Sequence, residues 1–323
     1  MNRPTLVISL DFELHWGRFD KAPLQACEAY YQTTRRIVPH LLALFEKYKV
    51  EVTWATVGML MADGPEEWLK YSPEIKPNYK NSNLSAYNWF KATKATKDAL
   101  FAPELVKAIL ETPGQELASH TFSHYYTMEN GQENLAFPAD LMAAQKIAYE
   151  KFGKKLSSLV FPRNQFNAEA IQVASELGFT SLRTNPVDWF WKTPEKGELL
   201  KKIWRTSDSV LTLGKKTSYQ LEVQKPKEPI LIPASRFLRP YQAKLGRINQ
   251  MKVNRVLEEM SFAAKNNEVY HLWWHPHNHG NHPEQSLGEV EQILKHFAFC
   301  REKHNMQSKS MNGVSQIFYS KNR

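Results

Sequence analysis

The sequence predicts an α/β protein on a parallel sheet, and three observations carry that expectation. Strand-length apolar runs alternate with helix-length amphipathic stretches along most of the 323 residues. Glycines such as Gly153 and Gly178 fall where helical patterns stop, as C-terminal caps should. The strands run out into polar, ionisable residues. Alternation on this scale argues for a parallel sheet, open or closed, because each parallel pair needs a crossover, usually a helix.

The elements follow in order. TLVISLD at 5–11 reads as a buried strand, followed by a helical stretch from about Leu24 to Lys47, interrupted near Pro39 where a backbone donor is missing. Residues 50–57 are a strand, 102–111 a helix and 115–120 a strand. A helix over about 138–152 leads to a strand at 157–162, a helix at 167–178 and a strand at 179–184. Late in the chain, 249–266 reads as a helix, 268–275 as a strand and 286–304 as a helix. Two stretches break the rhythm. Residues 64–100 are rich in Lys, Asn, Trp and Tyr, and 186–248 hold several prolines and room for two short strands. Both read as insertions over one face, since long connections in compact domains are usually lids or binding loops. The whole chain, 1–323, is expected to form one catalytic domain.

Composition narrows the class. Hydrophobic residues at 42 % and charged residues at 23 % are globular values and supply a real core. The opening MNRPTLVISLDF has too brief an apolar run for a signal segment or a membrane span. Cys27 and Cys300 stand far apart, so a disulfide framework is not expected and a cytoplasmic location fits. The formal charge of +9 suits an anionic partner, but lysines such as Lys196, Lys201, Lys202, Lys215 and Lys216 are scattered, which argues against a specific nucleic-acid surface.

Chemistry is expected where parallel strands end. The first ends SLDFE; alternation turns Asp11 and Glu13 to one side and Phe12 to the other. The strand at 115–120 runs into SHTFSH, placing His120 and His124 four apart, a spacing that joins the imidazoles if a helical turn begins there. The strand at 157–162 ends at Pro162, Arg163, Asn164 and Gln165, and the next at Arg183 and Asn185. The strand at 268–275 runs into HPHNHG, offering His275, His277 and His279. Two histidines and a carboxylate with open positions are what a divalent metal needs to polarise water. A second carboxylate can take a proton, and a distant His can give one. The aromatic residues Trp89, Phe90, Trp189 and Trp191 suit stacking on sugar rings, or, as the commoner case, anchoring of their loops.

ELASHTFSH at 116–124 and HLWWHPHN at 271–278 resemble the second and last motifs of the polysaccharide deacetylases, the NodB-homology or carbohydrate esterase 4-like family. The resemblance implies a distorted (β/α) barrel, a metal that is usually zinc, and removal of an acyl group, foremost acetyl, from an N-acylated sugar. It makes Asp11 the base, Glu13, His120 and His124 the metal ligands, His275 the acid and Arg163 the residue that orients Asp11. Asn164, Arg183, Trp189 and His277 are the candidates for substrate contact, with Asp188 and Trp189 standing for the family's fourth motif. The departures are an acidic pair spaced by Phe12 and FPRNQ at 161–165 in place of the family's arginine–proline motif. The expected partner is a carbohydrate linked to a nucleotide or lipid phosphate. The rival readings are hydrolysis of another amide, such as a formamido sugar or a cyclic imide, and a barrel that binds sugar or a polyanion without turnover.

Overall fold

The computed structural model describes residues 3–93, 97–132, 135–186, 217–221 and 228–321. Its strands are β1 (Thr5–Phe12), β2 (Val52–Thr56), β3 (Gln115–Ser119), β4 (Ser158–Val160), β5 (Ser181–Thr184), β6 (Ile230–Pro233), β7 (Arg236–Phe237), β8 (Val269–Trp274) and β9 (Gln307–Ser308). The helices are α1 (Glu28–Lys47), α2 (Pro65–Tyr71), α3 (Ala86–Ala92), α4 (Pro103–Glu111), α5 (Ala136–Phe152), α6 (Ala168–Glu176), α7 (Arg247–Asn266), α8 (Pro283–His304) and α9 (Met311–Lys321).

The main row of strands runs β6-β5-β4-β3-β2-β1-β8-β7, and all of these neighbours are parallel. Residues 230–237 join its two ends. β6 pairs with β5, Ala234 donates its N–H to Thr184, Ser235 donates to His271, and β7 then pairs with β8. One continuous piece of backbone thus bridges both edges and curls the sheet into a distorted barrel.

Strand alternation sorts the core into two layers. On β1, Leu6, Ile8, Leu10 and Phe12 join the large apolar cluster under the helices. Val7 instead joins a small cluster with Ala55, Val160, Ile230, Ile232 and Val269, which Met311 and Val314 of α9 complete. Ser9 and Asp11 share the face of Val7 by the same alternation, and so do His271 and Trp273 with Val269. That small inner layer leaves room for polar side chains at the barrel's mouth.

Three local expectations need correction. α1 runs through Pro39 without a break, because its buried stripe of Ile37, Val38, Leu41, Leu42 and Phe45 outweighs one lost backbone bond. Residues 64–100 contain two short helices rather than only loop. The Trp89 ring lies 5.1 Å from His15, 5.9 Å from Trp16 and 5.7 Å from Phe19, centroid to centroid, so it anchors the segment, the commoner of the two roles expected of these aromatics. β9 and α9 went unread in the sequence, where the helical pattern stops at His304. Asp188, Trp189 and Trp191 lie outside the described residues.

Candidate metal centre

β1 carries Asp11 near its end and Glu13 just beyond it, both almost wholly buried. Glu13 Oε2 lies 3.3 Å from His120 Nε2 and 3.1 Å from His124 Nε2. One ligand atom from each of these residues falls within 4.8 Å of the other two. The second nitrogen of each imidazole is already engaged: His120 Nδ1 meets the Val160 carbonyl at 2.8 Å, and His124 Nδ1 meets the Tyr126 hydroxyl at 3.1 Å. Such bonds set the tautomer and aim Nε2 of both rings at Glu13.

The expected helical turn between the histidines is absent. Residues 120–124 form a loop in which Thr121 (φ 62°) and His124 (φ 56°) adopt left-handed backbone, unusual for a side-chain-bearing residue and most of all for a β-branched one. The Thr121 carbonyl accepts from Gly58, the Phe122 carbonyl from Met59, and Thr121 Oγ1 from the Tyr125 N–H. Tertiary bonds, not helical periodicity, bring the two rings together.

Asp11 is held by Arg183. The guanidinium donates to both carboxylate oxygens at 2.6 and 2.7 Å, to Ser9 Oγ at 3.0 Å and to Asn164 Oδ1 at 3.1 Å, and its face lies 4.4 Å from the Trp273 ring centre. Burial alone would push Asp11 up, but Arg183 and the neighbouring His120 and His275 hold it below its ordinary value. Glu13 is likewise pushed up by burial and pulled well below the usual range by His275, His120 and His124.

The contact expected of Arg163 is therefore made by Arg183, which faces inward from β5 and is too enclosed to meet substrate. Arg163 sits past the end of β4 in a left-handed turn (φ 55°), which sends its side chain to Asp20 and, at 3.6 Å, to Glu129, over the Tyr126 ring. It touches the Tyr126 ring, whose hydroxyl meets His124. Asn164, expected at the substrate, buttresses Arg183.

His275 stands at the rim. Its Nε2 is 3.7 Å from Asp11 Oδ2 and 3.6 Å from Glu13 Oε1, and its side chain is 22 % exposed. His277 packs beside it, ring centroids 5.1 Å apart, against Tyr30 and Tyr31. Burial pushes His277 down to about 3, so it is neutral at physiological pH. His279 is buried as well, stacked on Trp274. Sequence reasoning missed His271, whose Nε2 meets Ser9 Oγ at 2.8 Å behind Arg183. Counting back from His275 by two along the inward face of β8 would have found it. Nothing local in the sequence announces Tyr126 as the partner of His124.

The donor set suits a divalent ion: two imidazole nitrogens and a carboxylate oxygen converge, with their orientation already fixed by other bonds. The fold and this set define the class, a parallel barrel with an acid–histidine centre at the strand ends. The sequence model of the family described as Polysaccharide deacetylase matches residues 18–182, about half of the chain, and the protein belongs to that family. The matched span holds His120 and His124 but not Asp11, Glu13, Arg183 or His275. Among solved structures, the chain is similar to a protein described as a polysaccharide deacetylase from Mycobacterium smegmatis (TM-score 0.64, 12 % identity, covering 100 % of this chain and 92 % of that one). It is similar to another so described from Pseudomonas aeruginosa PAO1 (0.60, 12 %, 98 % and 91 %) and to Puue allantoinase (0.59, 12 %, 98 % and 90 %). At such identity the likeness shows the fold alone. No curated protein matches the chain. Among the described residues no helix is long and apolar enough to cross a membrane.

Proposed function

We propose that the protein hydrolyses an N-acyl group, foremost N-acetyl, on a carbohydrate, and that Glu13, His120 and His124 hold a divalent ion, zinc in first place. The convergence of those three side chains on one point, beside Asp11 and His275, carries this reading. When bound, the ion would polarise the acyl carbonyl and acidify water at that point.

The remaining roles follow from the chain's own groups. Asp11 is the base. Clamped by Arg183 it is a weak one, which suffices for a proton already made acidic, and the clamp keeps the carboxylate from swinging onto the ion. His275, partly exposed and within 4 Å of both acids, is placed to give a proton to the leaving amine. The deep burial that keeps His277 neutral favours His275 over it as the donor. Trp273 and Phe237 flank His275 on the barrel side of the mouth.

The excess of basic residues supports an acidic carrier on the sugar, such as a nucleotide or lipid phosphate. The test is one preparation assayed for bound metal and for acetate or formate release, on neutral N-acetylated oligosaccharides and on nucleotide-linked N-acyl sugars. Acyl release that chelation abolishes and added zinc restores supports the reading. Stoichiometric metal without release from any of these substrates would argue for a binding barrel, and equal rates on neutral and charged sugars would remove the acidic carrier.

A further inference from the structure

α5 buries a stripe made of Phe137, Asp140, Leu141, Ala144, Ile147 and Ala148, and only one member is charged. Asp140 is fully buried. A lone carboxylate on an apolar helix face opposes folding unless its oxygens are well bonded. No Lys, Arg or His pairs with it among the described residues. Its bonds all go to the loop between the two histidines. It accepts from the Phe122 N–H at 2.6 Å, from the Ser123 N–H at 3.1 and 3.3 Å on its two oxygens, and from the Ser123 hydroxyl.

Those bonds complete a division of labour around the loop. The carbonyls of Thr121 and Phe122 are fixed by N–H groups of residues 58 and 59. The Thr121 N–H is fixed by Ser119 Oγ. The N–H groups of Phe122 and Ser123 have Asp140. Without it, two donors inside the loop lose their acceptor, and the left-handed backbone of Thr121 and His124 loses the contact that opposes its relaxation. Relaxation there would turn the His124 ring relative to Glu13, since three residues of loop join His124 to His120.

We propose that Asp140 is a positioning residue for the metal centre, setting the angle between the two imidazoles by gathering the amide hydrogens of the loop that joins them. The proposal rests on the reading that Glu13, His120 and His124 hold a divalent ion. Burial pushes the Asp140 carboxyl up to about 6 against the pull of Ser123 and Phe122, so at pH 7.5 both oxygens still accept. An amide there keeps size and one acceptor, but turns a donor toward Ser123.

The experiment is titration of metal-free protein with zinc by calorimetry and with cobalt(II) by visible absorption, at pH 7.5. It compares the unaltered chain, Asp140→Asn, Ser123→Ala and the control His124→Ala, with the melting temperature of each metal-free protein. Asp140→Asn is expected to weaken zinc binding about 10- to 100-fold, the usual effect of losing a partner behind a ligand. Its cobalt bands should shift, and its metal-free melting temperature should fall by no more than a few degrees, about what one or two lost hydrogen bonds offset by removal of a buried charge would give. Ser123→Ala should show a smaller loss in the same direction. Zinc affinity within about threefold of the unaltered chain, with an unchanged cobalt spectrum, would overturn the proposal. So would loss of metal in Asp140→Asn that merely tracks a collapsed melting temperature while Ser123→Ala binds normally. An unaltered chain that is folded yet binds no metal, or a His124→Ala variant that binds as well, takes down the metal reading first and this proposal with it.

Discussion

The two ends of the barrel each draw carboxylates away from water, almost wholly at the mouth and in part at the other end, and in different company. At the mouth, Glu13 faces two imidazoles and Asp11 faces a guanidinium, and the charges of those partners hold both acids down in spite of burial. At the opposite end, Glu116 accepts from the hydroxyls of Thr53 and Ser158 and from the N–H of Asn312 at the start of α9. Among the described residues no Lys, Arg or His pairs with it, and withdrawal from water pushes it up. The bottom acid is a cap: its lone pairs are committed to two hydroxyls and the first turn of α9. The top acids share partners that can be charged, can release a proton and can turn to a third group. The comparison teaches that burial of an acid does not mark a site. What marks it is a partner set with capacity left over.

The sharpest way to break this comparison is to change the mouth acids without changing their size. Asp11→Asn should keep metal and lose turnover by about 10⁴-fold, the upper end of what a base contributes. Glu13→Gln should weaken metal affinity, with part of the activity restored by added zinc. Metal titration and turnover of the two variants side by side decide it: if added metal rescues Asp11→Asn instead, the two roles are exchanged.

His275→Ala comes next, with an expected loss of about 10²- to 10³-fold in turnover at unchanged metal content. Should His277→Ala show that loss and His275→Ala not, the acid lies one step deeper in the loop.

Arg183→Met tests whether the clamp belongs to fold or chemistry, and it should touch both. Leaving Asp11 buried and unpaired is expected to cost about 3–5 kcal/mol. Because the folded Asp11 sits below its ordinary value, the pair's contribution is present above that value, 3.8, and fades as pH falls through the folded one. Denaturant titrations should therefore show the full deficit at neutral pH and its closure below about pH 4. The acid limb of the turnover profile should move to higher pH in the variant. An unmoved limb would detach Arg183 from the base.

The smallest effect is expected at the other end. Glu116→Gln should leave turnover unchanged and alter stability by no more than about 1 kcal/mol, since the amide oxygen can still accept from Asn312. Glu116 in the folded chain sits above its ordinary value, so its charge is a burden at neutral pH that disappears as pH falls below that value. The variant should thus fare relatively better at pH 7 than at pH 4. A large drop in turnover would mean that the two ends are coupled.

Much of this arrangement could be read from residues in order. Period-two alternation put Asp11 on the inward face of β1, although Glu13 lies past the strand's end, where the backbone leaves the extended form, and strand–helix alternation gave the parallel barrel, because both are local properties of backbone geometry. The tie between 230–237 and both sheet edges could not be read, nor could the plug formed by α9, since each depends on pairing between segments far apart in the chain. The spacing of His120 and His124 pointed to their meeting but misnamed its cause. A helix would have done it by periodicity; here a strained loop does it through bonds to residues 58, 59 and 140. Arg163 and Arg183 divide on the same ground. Both end a strand, and only the inward register of β5, against the left-handed turn at Arg163, selects which guanidinium reaches Asp11. By itself, then, the sequence determined the fold class, the end of the barrel that carries chemistry and the residue types gathered there, because periodicity and strand polarity are written locally. Tertiary structure decided which arginine clamps the acid, which histidines are sealed as neutral rings, and what holds the loop between His120 and His124 in shape. Those outcomes turn on distances between groups that the chain order does not place together.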